Sequence, residues 1–160
     1  MKSFEIEIKW AFIFTAMGLF WMVLERIFGL HDIHIAKHAI YTNFVAIPAV
    51  AIYVYALLDK KKNYYKGKMN YRQGLVSGIF LSVGITVLTP VSQLITATLI
   101  TPNYFNNVIA YVVEQKQMTQ EQAIDYFNLK SYIIQSVFFA PVMGVITSLI
   151  VAFTLKSKSI

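Results

Sequence analysis

All three histidines of this 160-residue chain lie in one octapeptide, HDIHIAKH, from His31 to His38. Imidazole is the commonest transition-metal ligand, and residues four apart on a helix face the same way. Asp32 suits the N-cap of a helix continuing through Leu58, which leaves His31 outside that helix and sets His34 and His38 one turn apart near its start. A helix N-terminus favours the neutral imidazole that binds metal. Zinc, however, needs a third ligand and usually a fourth. The other candidates are His31, Glu25, Glu114, Glu121 and Asp125, none at a recognised ligand spacing, and no HExxH occurs. The reading is therefore of no metal and no cofactor, with His31, His34 and His38 as the residues that would form a metal or pH-sensing site. Glu25 with Arg26 reads as a rim ion pair or a pair of interface anchors.

The elements that must position these residues are apolar. Hydrophobic residues make up 57% of the chain and charged residues 14%, well below the share expected of a soluble domain. Three uncharged runs are each long enough to cross a hydrocarbon core of about 30 Å: 39–58, 74–100 and 131–155. A fourth run, 10–24, reaches only about 22 Å, and spans if Lys9 snorkels and IFGL extends it beyond Arg26. Glu5 and Glu7 among the first lysines, and no A-x-A-like site before Glu25, argue against a cleaved signal peptide. The expected fold is thus an all-α polytopic membrane protein. It is a single domain, 1–160, built as a four-helix bundle with spans near 8–29, 37–58, 74–100 and 131–155.

Lys and Arg partition sharply between the flanks. Lys2, Lys9, Lys60, Lys61, Lys62, Lys66, Lys68, Arg72, Lys156 and Lys158 fall on one side, and Arg26, Lys37, Lys116 and Lys130 on the other. The positive-inside rule puts both termini and loop 59–73 in the cytoplasm. The net charge of +6 is then explained by anionic lipid headgroups meeting Lys60, Lys61, Lys62, Lys66, Lys68 and Arg72, with Tyr64, Tyr65 and Tyr71 as interface anchors, and nucleic acid is not an expected partner.

Helices in lipid associate through close backbone approach and hydrogen bonds. Small residues at four-residue spacing mark two candidate packing faces, Gly74, Gly78, Ser82, Thr86 and Ser136, Ala140, Gly144, Ser148, with Gln93 and Gln135 placed to bond across. Pro48, Pro90 and Pro141 interrupt spans, and each frees a backbone carbonyl. Segment 101–130 predicts a short helical hairpin on the outer face. Phe105, Val108, Ile109, Val112 and Val113 recur at helical spacing, and Thr119 with Gln122 makes a capping box ahead of Ile124 and Phe127.

The uncharged spans lack the groups that proton-coupled transporters, ion pumps and intramembrane proteases require at depth, and no G-x-S-x-G, Walker A or paired-carboxylate motif occurs. The zero cysteines exclude disulfides and thiol chemistry. WMVLERIFGLHD from Trp21, TNFVAIPA from Thr42, TPVSQ from Thr89 and MTQEQAIDYFNLKSYIIQS from Met118 resemble the small four-span bacterial membrane family called domain of unknown function 4199, over nearly the whole chain. That resemblance implies an inner-membrane location and brings no activity or site residues. It also implies a polyprenyl-phosphate glycosyltransferase as a candidate partner. The expected role is a non-enzymatic accessory or scaffold subunit, holding a membrane partner or a second copy of itself. The alternatives are a small carrier or lipid-handling protein with a polar cavity, and an outer-face metal or pH sensor.

Overall fold

A computed structural model describes residues 4–157; Lys2 and Lys158 lie outside them. Every regular element is helical. The elements are α1 (Glu5–Ile27), α2 (Ile35–Tyr41), a 3₁₀ turn (Thr42–Val45), α3 (Ala46–Asn63), α4 (Tyr71–Ile95), a π turn (Thr96–Ile100), α5 (Tyr104–Glu114), α6 (Gln120–Tyr126) and α7 (Leu129–Leu155). Among the described residues, four helical stretches are long and apolar enough to cross a membrane: Glu5–Ile27, Ile35–Asn63, Tyr71–Ile100 and Leu129–Leu155. They alternate in direction. Glu7 at the start of α1 meets Lys60 at the end of α3 and Ser77 at the start of α4, while the Ser157 N–H donates to the Met69 carbonyl at 2.8 Å. Both ends of the described chain therefore share one end of the bundle with the lysine-rich loop. The α5–α6 hairpin occupies the other end.

The expected unbroken helix from Asp32 to Leu58 does not form. Proline has no N–H, and its ring crowds the carbonyl four residues back, which for Pro48 is that of Phe44. The chain answers with the 3₁₀ turn over Thr42–Val45, after which Pro48 sits in the tolerant first turn of α3. Asp32 caps no helix; its side chain accepts from the adjacent Ile33 N–H. At the far end of α4 the backbone widens into the π turn, closed by Thr101 N–H on Thr96 O at 2.7 Å. Arg26 donates to the Ile100 carbonyl there, satisfying a helix end. It does not pair with Glu25.

The seam between α4 and α7 is the closest in the bundle, and small residues make it so. A Cβ on Gly74 would lie 3.1 Å from Ala152 Cβ, on Gly78 2.6 Å from Ser148 Cβ, and on Gly144 2.6 Å from Ser82 Cβ and 2.7 Å from Tyr53 Oη. Tyr53 and Ser82 hydroxyls bond at 2.8 Å beside that contact. Thr86 is half-buried and returns its hydroxyl to the Ser82 carbonyl, and Ala140 is half-buried against an apolar cavity. Gln93 donates to Ser136 Oγ at 2.8 Å, so its partner across the seam is Ser136 and not Gln135, which is half-buried one position away.

At the basic end Lys60 departs from the expected headgroup role. It is 3% exposed, with Nζ 2.9 Å from Glu7 Oε1 and 3.0 Å from Oε2, and Ser77 Oγ donates to Glu7 Oε1 at 2.6 Å. The phase of α3 causes this, because Lys60 falls on the face of the buried residues Tyr53, Ala56 and Leu57. Lys61 donates to the Leu155 carbonyl, closing the end of α7. Lys62, Lys66, Lys68 and Arg72 are exposed.

The hairpin buries Val108, Val112 and Ala123, with Ile35 of α2 packed against them. Its apolar face therefore lies on the protein, although Ile124 stays exposed. The capping box forms in both directions, Gln122 N–H to Thr119 Oγ1 and Thr119 N–H to Gln122 Oε1. Thr119→Ala is expected to cost about 1 kcal/mol, confined to α6. Amide hydrogen exchange should then quicken in 120–126 and leave the spans unchanged.

Candidate functional site

The polar cluster at the hairpin end is assembled by a turn. After α1, Gly29 adopts φ +68°, with Leu30 N–H bonded to the Glu25 carbonyl and Gly29 N–H to the Arg26 carbonyl. This is a Schellman ending, with glycine at the left-handed position. It folds the chain back so that His31 lies over Glu25, one turn inside the helix it has just left. Asn107 of α5 donates to the His31 carbonyl at 2.9 Å and fixes the turn from outside. The opening of α2 then brings His38 to the same carboxylate.

Glu25 is 2% exposed and takes side-chain hydrogen bonds from His31, His38, Trp21 and Thr42. Trp21 Nε1 donates to Oε1 at 2.6 Å, His31 Nε2 lies 3.0 Å from Oε2, and His38 Nε2 lies 3.3 Å from the same oxygen. His31 is buried and His38 half-buried. The two imidazoles and the Tyr104 ring pack mutually, with centroids 5.2 to 5.3 Å apart. Tyr104 Oη meets Tyr132 Oη at 3.1 Å, and His38 Nδ1 at the long distance of 3.5 Å. Burial, and then the neighbouring Tyr132, push the Tyr104 phenol above its ordinary range, so the neutral hydroxyl is held. One atom is left over. His31 Nδ1 is buried with no hydrogen-bond partner.

Three hollows adjoin the cluster, the smallest beside Arg26, His31 and Asn107. A cavity of about 180 Å³ is lined by His31, His38, Thr42, Gln93, Thr101 and Tyr104 among others. Glu25 also lines an apolar groove of about 520 Å³, walled by Trp21, Leu24, Phe28, Leu30, Tyr41 and Phe44 together with His34 and Lys37.

The expected pairing of His34 with His38 is thus corrected. His34 is exposed, and the histidines that converge are His31 and His38, because the Gly29 turn and not an Asp32 cap sets the geometry. Glu25 is their shared partner, and the rim ion pair with Arg26 is not found. Glu114, Glu121 and Asp125 are exposed and lie outside the cluster. Trp21, Tyr104 and Tyr132 were not anticipated as part of any site. The available signal was the glycine in FGLHD, placed just after a basic last turn as a helix C-terminus requires.

A family model described as a protein of unknown function (DUF4199) matches residues 9–157. Comparison with curated proteins and with solved structures gave no match.

Proposed function

The chain belongs to the DUF4199 family, which assigns no activity, and from its packing we propose that it is a non-enzymatic accessory protein of a bacterial inner membrane. In this reading both termini and loop 59–73 face the cytoplasm, in line with the distribution of lysines. The hairpin faces the opposite compartment.

The observation that carries this reading over a carrier is the character of the hollow at mid-bundle. That cavity, about 260 Å³, is lined by Phe14, Val50, Tyr53, Ile85, Met143 and Gly144 among others, and its wall is almost wholly apolar. A path for a polar solute requires polar lining or unwound backbone at this depth. The buried Tyr53 and Ser82 hydroxyls are instead joined to each other, and half-buried Gln93 donates to Ser136. Helix α7 lays one narrow stripe on α4 and turns Phe138, Phe139, Val142 and Phe153 outward. Those side chains offer a surface for a membrane partner, of which a polyprenyl-phosphate glycosyltransferase is one candidate.

Photo-crosslinking from position 139 in native membranes, followed by mild-detergent purification, tests the role. A stoichiometric partner is expected; recovery of lipid adducts alone in several detergents would overturn the accessory reading. Because the sequence has no cysteine, Tyr65→Cys and Gln117→Cys test the orientation cleanly. An impermeant thiol reagent applied to intact cells should label the second and spare the first, and the opposite pattern would invert the topology.

A further inference from the structure

We propose that Glu25, His31 and His38 form a binding site for a divalent first-row transition-metal ion, with zinc as the reference ion. Each residue offers one ligand atom, and these atoms all lie within 4.8 Å of one another. Zinc sits about 2.0 to 2.2 Å from histidine nitrogen and carboxylate oxygen, so tetrahedral ligand atoms are about 3.4 Å apart. The two nitrogens already stand 3.0 and 3.3 Å from Glu25 Oε2. Little rearrangement is needed to bring the three onto one ion. Two imidazoles and one carboxylate are a donor set that suits zinc and its first-row neighbours, whereas magnesium and calcium prefer oxygen alone.

Both contacts to Glu25 Oε2 are made by Nε2 nitrogens, so an ion bound there would take the place of two hydrogen bonds on one oxygen, with the ring proton of His31 on its buried Nδ1. The surroundings also have the form of an outer shell. Trp21 holds the other carboxylate oxygen, and Tyr104 touches the far nitrogen of His38. Three protein ligands leave a fourth position, and the 180 Å³ cavity adjoins both histidines. A water or a small anionic ligand would complete the coordination from that side.

The inference stands apart from the accessory role, since a protein that captures no partner can still bind the ion. The test uses the full chain, purified in mild detergent, stripped with chelator and titrated with zinc or cobalt alone. Wild-type protein is expected to retain about one zinc per chain after desalting. Cobalt is expected to give visible absorption bands of tetrahedral strength. His31→Ala, His38→Ala and Glu25→Gln should each weaken zinc binding by roughly 100-fold, while His34→Ala, at the exposed histidine, should bind as wild type does. Where a cluster variant fails to fold, the wild type decides: zinc should raise its melting temperature, and chelator should reverse the rise. Absence of stoichiometric zinc and of any melting shift in folded wild-type protein would overturn the site, as would an equal loss of binding in His34→Ala.

Discussion

Replacing Lys60 with Met is expected to destabilise the folded protein by about 3 to 5 kcal/mol, the largest single effect at its basic end. The size follows from what remains rather than from what is lost. Lys60 and Glu7 are 3% and 5% exposed and lie within 3.0 Å of each other, and Ser77 is the other donor to that carboxylate. Removing the cation leaves a buried carboxylate whose remaining hydrogen-bond donor is the Ser77 hydroxyl. The neutral double variant Lys60→Met/Glu7→Gln should recover most of the loss, because an amide can keep the Ser77 contact without a net charge. Thermal unfolding of the three proteins in one detergent measures both the cost and the recovery. If the single and double variants melt alike, the pair is not electrostatically coupled in the way its geometry requires.

This site also marks where sequence patterns were readable and where they were not. The four spans follow from run length against bilayer thickness, which needs no knowledge of neighbours, and the Thr119–Gln122 box follows from a local hydrogen-bond pattern. Lys60 was obscured by its own neighbours, since DKKK reads as a headgroup-facing run until helix phase is traced back to Tyr53 and Leu57. Glu7 and Glu25 illustrate the same point along α1. They are eighteen positions apart, about five turns at 3.6 residues each, so one face carries both. Each lies outside the uncharged run that defines the span, where a carboxylate reads as a charge at the membrane rim. The helix is longer than that run, and it draws both carboxylates into buried contacts.

The histidine cluster was half legible. Composition put the ligand types in one octapeptide, but which two converge depends on a reversal that spacing along a single helix cannot express. Gly29 supplies that reversal, and Pro48 breaks the helix that an Asp32 cap would have needed. Glu25 joins because the Schellman turn returns the chain to the helix it has just left, a contact six residues apart that no helical or strand period encodes. Asn107 and Tyr104 come from a hairpin 70 or so positions away. Nothing local in the sequence announces them.

The small-residue seam yields the second large effect. Gly144→Ile is expected to cost about 3 kcal/mol or more, from overpacking together with a severed buried hydrogen bond. Even the first carbon of a side chain there would stand 2.6 Å from Ser82 Cβ and 2.7 Å from Tyr53 Oη, so α7 must move off α4 or Tyr53 must leave Ser82. In lipid the bundle has no hydrophobic drive to offset that separation. Gly144→Ala should already show a large part of the loss. Gly18 supplies the control, because a Cβ at that position of α1 meets nothing within 4 Å. Gly18→Ala should leave stability unchanged or raise it by about 0.5 to 1 kcal/mol through helix propensity alone. The measurement is steric-trapping or denaturant unfolding of the two alanine variants side by side. Equal stability of Gly144→Ala and Gly18→Ala would mean that the seam is slack, and that the contact between α4 and α7 is not what closes the bundle.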